Sequence, residues 1–547
     1  MRRLATLLGL AALPLAVLGV FFVLPVAGMV GRGVWPDGVF DPGAVLDVLT
    51  RPRVHRVLWF TLWSASVATV VSVALGLPAA YVLHRLRFPG RGLVRGLLLV
   101  PFVLPTVVVG VAFRQLLREG GLLGGLGLDG TPTGIVCALV FFNVAVVIRT
   151  VGATWEGLDR RPAEAAAALG AGPVTVFRTV TLPALRPAVV SAASVVFLFC
   201  ATAFGVVLTL GGSRYSSVET EIYLLTTELL DLPAAAALSV LQLVVVVALL
   251  VVAGRARRTP DAQVQRSTAR AQPVRRRDLP QVAVTVVLLA AVATPVVALV
   301  VGSLRRDGAW TLDSYRALGG RGGEPGDPTL VVPVTEALLN SLRIAVDATW
   351  MSLLLGGLVA VVVTRRSRGR AERRLRGALD GFFMLPLGVS AVTLGFGFLI
   401  TLDSPPLDLR SSPLLVPLAQ ALVALPLVVR TLVPVLAGLD DRQRQAAASL
   451  GAGPLRAFAT VDLPATWRPL LAAAGFAFAV SLGEFGATSF LVRDDAPTMP
   501  VVIFRLIGRP GAGDYGAALA ASVVLAATTA LVMLAVERLR VPALGAW

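Results

Sequence analysis

Glu164 to Pro183 reads EAAAALGAGPVTVFRTVTLP, and a near copy, QAAASLGAGPLRAFATVDLP, runs from Gln445 to Pro464. Both stretches lie between apolar runs long enough to cross a bilayer. Both are less apolar than those neighbours and are broken by glycine and proline at the same offsets. A short, capped helix on the surface of a membrane protein, made twice, needs a reason other than contact with lipid. In the first copy Pro162 suits the first helical turn, Glu164 favours the positive end of the helix dipole, four alanines propagate the helix, and Gly170 can adopt the left-handed stop. The second copy has Gln443 and Gln445 in place of Pro162 and Glu164, and Asp440 or Asp441 is the expected cap.

The surrounding chain of 547 residues is 56% hydrophobic and 15% charged, where a soluble domain carries about 25% charged residues. Val282 to Val301, VAVTVVLLAAVATPVVALVV, holds no charge, and about 20 helical residues cover the roughly 30 Å hydrocarbon core. Twelve apolar segments are expected, near 8–31, 57–84, 93–118, 133–155, 187–212, 234–254, 281–303, 336–364, 376–402, 412–437, 468–492 and 513–536. The first run, Leu4 to Val30, is too long for the apolar core of a signal peptide and reads as an uncleaved span.

The net charge of +17 comes entirely from arginine, because the chain has no lysine. A phosphate-binding Walker loop needs its lysine, so an ATPase of that class would have to sit on another polypeptide. Cys137 and Cys200 lie in apolar runs, and His55 and His84 lack partners at ligand spacing and read as solvated or interfacial. No metal site, no cofactor in this chain and no nucleic-acid partner are expected. With no nucleophile–base pair either, the chain does not read as an enzyme.

Arginines orient the spans. The N-terminus and the loops after spans 2, 4, 6, 8 and 10 hold Arg2, Arg3, Arg85, Arg87, Arg91, Arg95, Arg160, Arg161 and the runs 255–277 and 365–376. The alternate loops are mixed or acidic, with Asp37, Asp41, Asp47, Glu219, Glu221, Glu228, Asp231, Asp403, Asp408, Asp494 and Asp495. The positive-inside rule places the arginine side, the repeated stretches and both termini in the cytoplasm.

Arg255 to Asp278 lacks an apolar face and reads as a polar linker. It divides the chain into a first half, 1–254, a cytoplasmic arginine-rich linker, 255–280, and a second half, 281–547. The halves match: Arg149 with Arg430, the GLD of 157–159 with that of 438–440, Gly170 with Gly451 and Pro183 with Pro464, all 281 residues apart. Pro101 and Gly110 match Pro386 and Gly395 at an offset of 285. Six spans per half keep both copies in one orientation, so the expected fold is an all-α polytopic membrane protein of twelve helices in two parallel six-helix repeats, with a path between them.

The pattern E-A-A, three residues, Gly, nine residues, an aliphatic residue, one residue, Leu-Pro fits 164–183 fully and fits 445–464 except for Gln445. It resembles the EAA loop of permease subunits of binding-protein-dependent ABC importers, and the likeness spans essentially the whole chain. Two fused halves resemble the iron(III) and thiamine branch. The resemblance implies the type I importer permease fold in a bacterial cytoplasmic membrane, with coupling helices formed by Glu164, Ala165, Ala166, Gly170, Leu182 and Pro183 and by Gln445, Ala446, Ala447, Gly451, Leu463 and Pro464. It also implies partners: homodimeric ABC ATPase subunits, which would hold ATP and Mg, and an extracytoplasmic solute-binding protein that delivers cargo to the acidic outer loops. Thiamine and iron(III) stand at near parity as cargo, with phosphonate-like or other small solutes behind them.

Spans 5 and 11 follow the repeated stretches, and Phe204-Gly205 aligns with Phe485-Gly486. Thr202, Phe204, Gly205, Glu484, Phe485 and Thr488 are the expected path residues. Glu484, deep in a span, either attracts a cationic cargo or hydrogen-bonds a neighbouring helix; similar GEFGA segments in molybdate and sulfate permeases, which carry anions, favour the structural role. A secondary active transporter with twelve spans is the alternative; it would need buried charge pairs in both halves and no EAA loops.

Overall fold

The computed structural model describes residues 2–35, 40–98, 100–212, 214–256, 272–306, 308–321, 330–365, 369–403, 407–509 and 511–538. Most of the expected linker, residues 257–271, lies outside them. The first half is built from α1 (Leu7–Val34), α2 (Pro52–Arg85), α3 (Thr106–Leu117), α4 (Pro132–Gly157), α5 (Arg161–Ala168), α6 (Leu182–Ala201), α7 (Gly205–Gly211), α8 (Val218–Thr227) and α9 (Leu232–Ala256). The second half repeats the order: α10 (Leu279–Ser303), α11 (Val334–Thr364), α12 (Arg370–Phe383), α13 (Ala391–Thr401), α14 (Leu415–Ala437), α15 (Asp441–Ser449), α16 (Leu463–Leu482), α17 (Thr488–Leu491), α18 (Met499–Ile507) and α19 (Ala512–Glu537).

Among the described residues ten helices are long and apolar enough to span a membrane, and two shorter apolar ones, α3 and α13, stand where the third span of each half was expected. The expected continuous spans 93–118 and 376–402 are therefore broken. Pro105 precedes α3, and in the second half the Arg-rich helix α12 ends at Phe383, followed by a turn and the Ser390 cap of α13. Proline removes a donor, and a run with four arginines does not enter hydrocarbon readily. Spans 5 and 11 are broken as well, after Ala201 and after Leu482, and each continues as two short helices, α7 and α8 or α17 and α18.

Each half has a three-helix core, α2 with α4 and α6 in one, α11 with α14 and α16 in the other. Small residues set the approach. A Cβ on Gly76 would stand 2.7 Å from Val147 Cγ1, and one on Gly356, its counterpart, 2.6 Å from Val428 Cγ1, so α2 meets α4 as α11 meets α14. The first helix of each half leaves its own core: α1 packs on α11 and α13, and α10 packs on α2 and α3. The halves are thus interleaved. The described end of the linker joins in, since Gln272–Pro273 pairs with Leu86–Arg87 and the Tyr81 hydroxyl donates to Asp278 at 2.9 Å.

Candidate coupling loops and transport path

The two repeated stretches fold alike. Asp159 accepts from the Arg161 amide at 3.1 Å, and Asp440 from the Arg442 amide at 3.0 Å, so an aspartate bonds the first turn of each short helix, Asp440 from the N-cap position itself and Asp159 from one residue before it. Both helices end in a double-bonded left-handed turn. Gly170 has φ +89° and donates to Ala167, and Ala171 donates to Ala166; Gly451 has φ +82° and donates to Ala448, and Ala452 donates to Ala447. Glu164, Ala165, Gly170 and Pro183 are exposed, as are Gln445, Ala446, Gly451, Leu463 and Pro464, while Ala166, Leu182 and Ala447 are half-buried. At the tip of each helix stands a bare leucine, Leu169 at 90% exposure and Leu450 at 89%. The two exposed apolar tips are matched between the halves. The sequence pattern did not single them out, because its fixed positions flank them.

Each loop is wired into the helices by different chemistry. After α5 a π-helical turn, Phe177–Thr181, leads into α6, and its Phe177 ring stacks on Trp155 at 6.2 Å. Trp155 packs on Tyr81 at 5.4 Å, which bonds Asp278 at the end of the linker. The second loop has a matching π-helical turn, Phe458–Asp462, braced by a 2.7 Å ion pair from Arg444 to Asp462. His84, read from sequence as solvated or interfacial, is half-buried at the end of α2 with Nδ1 3.0 Å from Glu156, which Arg91 and Arg95 also approach.

At the other end of α6 and α16 the two halves meet ring to ring. Phe204 stacks on Phe485, centroids 5.2 Å apart and planes 22° apart. Tyr223 and Phe504, also 281 residues apart, lie 6.5 Å from each other. Phe204 reaches Tyr223 at 5.4 Å, and Phe485 reaches Phe504 at 5.4 Å. A residue that touches its own counterpart lies on the symmetry axis. The four rings therefore form two layers of a plug on the pseudo-twofold axis. Gly205 packs on Thr106 and Val107 at the start of α3, and Gly486 on Ala391 and Val392 at the start of α13. Beyond the plug, on the side away from the coupling loops, lies a cavity of about 460 Å³ lined by Tyr223, Phe485, Ser489, Phe504, Arg505 and Arg509 among others.

Glu484 stands beside this plug, and its oxygens are engaged by its own segment. Oε1 accepts from the Ala487 amide at 2.8 Å, and Oε2 from the Thr488 amide at 3.0 Å and the Thr488 hydroxyl at 2.5 Å. Gln420 of α14 donates to the buried Thr488 hydroxyl at 3.3 Å. Thr202 bonds back to Leu198 one turn below. Two acids assigned from sequence to an outer loop are interior: Glu219 is 0% exposed and Glu221 is 1% exposed, the latter gripped by Arg53 of α2 at 2.5 and 3.1 Å. Helix α8 folds back between the spans, which a hydropathy reading cannot register. Asp494 and Asp495 remain at the surface, paired with Arg505 and Arg493.

The model of the family described as "Binding-protein-dependent transport system inner membrane component" matches residues 72–259 and again 352–540. The chain is 29% identical to the thiamine transport system permease protein of Brucella abortus (strain 2308) over 86% of this chain and 85% of that one. It is 36% identical to the molybdenum transport system permease protein of Mycobacterium bovis, covering 45% of this chain and 92% of the relative. A solved bacterial ABC transporter involved in the import of the acidic polysaccharide alginate superposes with a TM-score of 0.38 at 15% identity, over 45% of this chain and 92% of that one.

Proposed function

The chain belongs to the family of binding-protein-dependent transport system inner membrane components, and from that premise we propose which cargo and which partners it serves. It is a multi-pass permease subunit of an ATP-driven ABC importer, with both permease halves on one polypeptide. Our reading is that thiamine is the cargo and that iron(III) is not. What supports it is the likeness, over both halves, to a thiamine permease, together with a plug of aromatic rings suited to an aromatic organic cation.

In this reading α5 and α15 seat Leu169 and Leu450 in sockets of two identical ATPase subunits, which hold ATP and Mg. The divisions 1–254, 255–280 and 281–547 are then two permease halves and a cytoplasmic connector, and both termini are cytoplasmic. A solute-binding protein docks on the opposite face. Closure of the ATPase pair moves the two loops, Phe177–Trp155 and Arg444–Asp462 pass the motion to α4 and α16, and the aromatic plug parts. The observation carrying this is the repetition of one exposed, leucine-tipped helix at equivalent positions of the two halves. A secondary active transporter has no use for that pair, and this reading sets it aside. The test is uptake into proteoliposomes holding permease, ATPase and binding protein: labelled thiamine should accumulate with ATP and ferric ion should not, and ferric accumulation without thiamine uptake would refute the cargo.

A further inference from the structure

Glu219 is a buried carboxylate that the path described above does not use. It lies in the first turn of α8, and its Oε2 accepts from the Ser390 hydroxyl of the other half at 2.9 Å, while Oε1 accepts from the Gln242 amide of α9. The same Ser390 oxygen accepts from the Thr393 amide at 3.0 Å and so caps α13. The N-terminal ends of α8 and α13, both positive, thus converge on one carboxylate. An isolated buried carboxylate is costly; one held by two donors between two helix ends is compensated, and removing either side leaves the other unsatisfied.

The bond has no twin. The halves repeat closely here: the Val218 amide donates to Thr61 at 3.0 Å, and the Met499 amide, its counterpart, to Ser341 at 2.7 Å. At the position of Glu219 the second half has Pro500, and at the position of Ser390 the first half has Pro105. Helix α8 packs on α13 across one seam between the halves, and α18 packs on α3 across the other. The first seam carries a buried hydrogen bond between a hydroxyl and a carboxyl group; the second places proline at both matching positions. Tyr223, one turn along α8 from Glu219, carries one ring of the plug.

We propose that Glu219 is a positioning residue, a pin that keeps the α8–α13 seam closed throughout the transport cycle, so that the plug parts by opening of the α18–α3 seam alone. The inference rests on the alternating-access reading above. It is tested with spin labels on the intact complex of permease, ATPase and binding protein, in a C137S/C200S background. One pair, at Glu228 and Asp403, spans the pinned seam; the other, at Glu119 and Arg509, spans the opposite one. Between the nucleotide-free state and the vanadate-trapped state the second distance should change by several ångströms and the first should stay within its width. In Glu219→Ala the first distance should also change, with uptake per ATP hydrolysed falling about tenfold, whereas Glu219→Gln, which still accepts from Ser390, should recover most of the coupling. Movement at 228–403 in the unsubstituted protein, or full coupling in Glu219→Ala, overturns the pin and leaves the transport reading standing. Movement at neither pair overturns both.

Discussion

Phe204 stacks on Phe485, its own counterpart in the other half, with centroids 5.2 Å apart. The contact joins two segments 281 residues apart and lies on the axis about which the halves repeat. Both rings are buried, at 6% and 2% exposure, so the space between the halves is closed at this level. Replacing Phe485 with Ala removes one ring of the inner layer and the stacking, worth about 0.5–1.5 kcal/mol beyond burial. Proteoliposomes carrying Phe485→Ala should leak labelled thiamine without ATP, and Phe204→Ala should do the same. The double variant should leak little more than either, because one contact is lost in all three.

The leucine tips should be separable from folding. With Leu169 and Leu450 exposed at 90% and 89%, substitution by Asp should change stability by less than about 0.5 kcal/mol. Each substitution should weaken capture of the ATPase at least tenfold, about 1.4 kcal/mol, as read by titration of detergent-solubilised permease. Unchanged capture in both would remove the leucines from the interface.

Gly170 and Gly451 hold positive φ, and a Cβ at either would meet nothing within 4 Å. Any cost of substitution is therefore backbone strain alone. Valine at either position should cost about 1–2 kcal/mol locally and lower ATP-driven uptake with the permease still in the membrane, whereas asparagine, which visits the left-handed region, should be tolerated. Uptake rates at matched protein levels decide this.

The helix pairs should show the opposite behaviour, failure by crowding. Gly76→Ala places a methyl group 2.7 Å from Val147 Cγ1, an overpacking that costs about 1–3 kcal/mol. Val147→Ala in the same chain should restore most of the melting temperature. Gly356→Ala with Val428→Ala should behave identically, since the geometry is repeated at 2.6 Å.

Much of this architecture was legible because the sequence states it twice. The repeated GLD, Gly-x-Gly-Pro and Leu-Pro positions located the loops, and the same offset aligned Phe204 with Phe485 before any contact between them was known. Residue type narrows the cap of the second copy to Asp440 or Asp441, and Asp440 takes the bond. What escaped was chain that turns inside the membrane region. Hydropathy cannot distinguish a continuous span from two short helices joined at Pro105 or Ser390, so 93–118 and 376–402 were read as unbroken. Glu219 and Glu221 fall in an outer loop on a hydropathy reading, while the groups that compensate them inside, Ser390, Gln242 and Arg53, are remote in sequence. Glu484 was legible as unusual but not as a cap on its own following turn.

On the proposed function force enters through α5 and α15 together, and cross-linking from their tips is the decisive measurement. With Leu169→Cys or Leu450→Cys carrying a short photoreactive probe in the working complex, both positions should label the ATPase subunits, and that labelling should change when ATP is trapped. Labelling of lipid or solvent alone from both tips, while cargo still accumulates, would contradict the account.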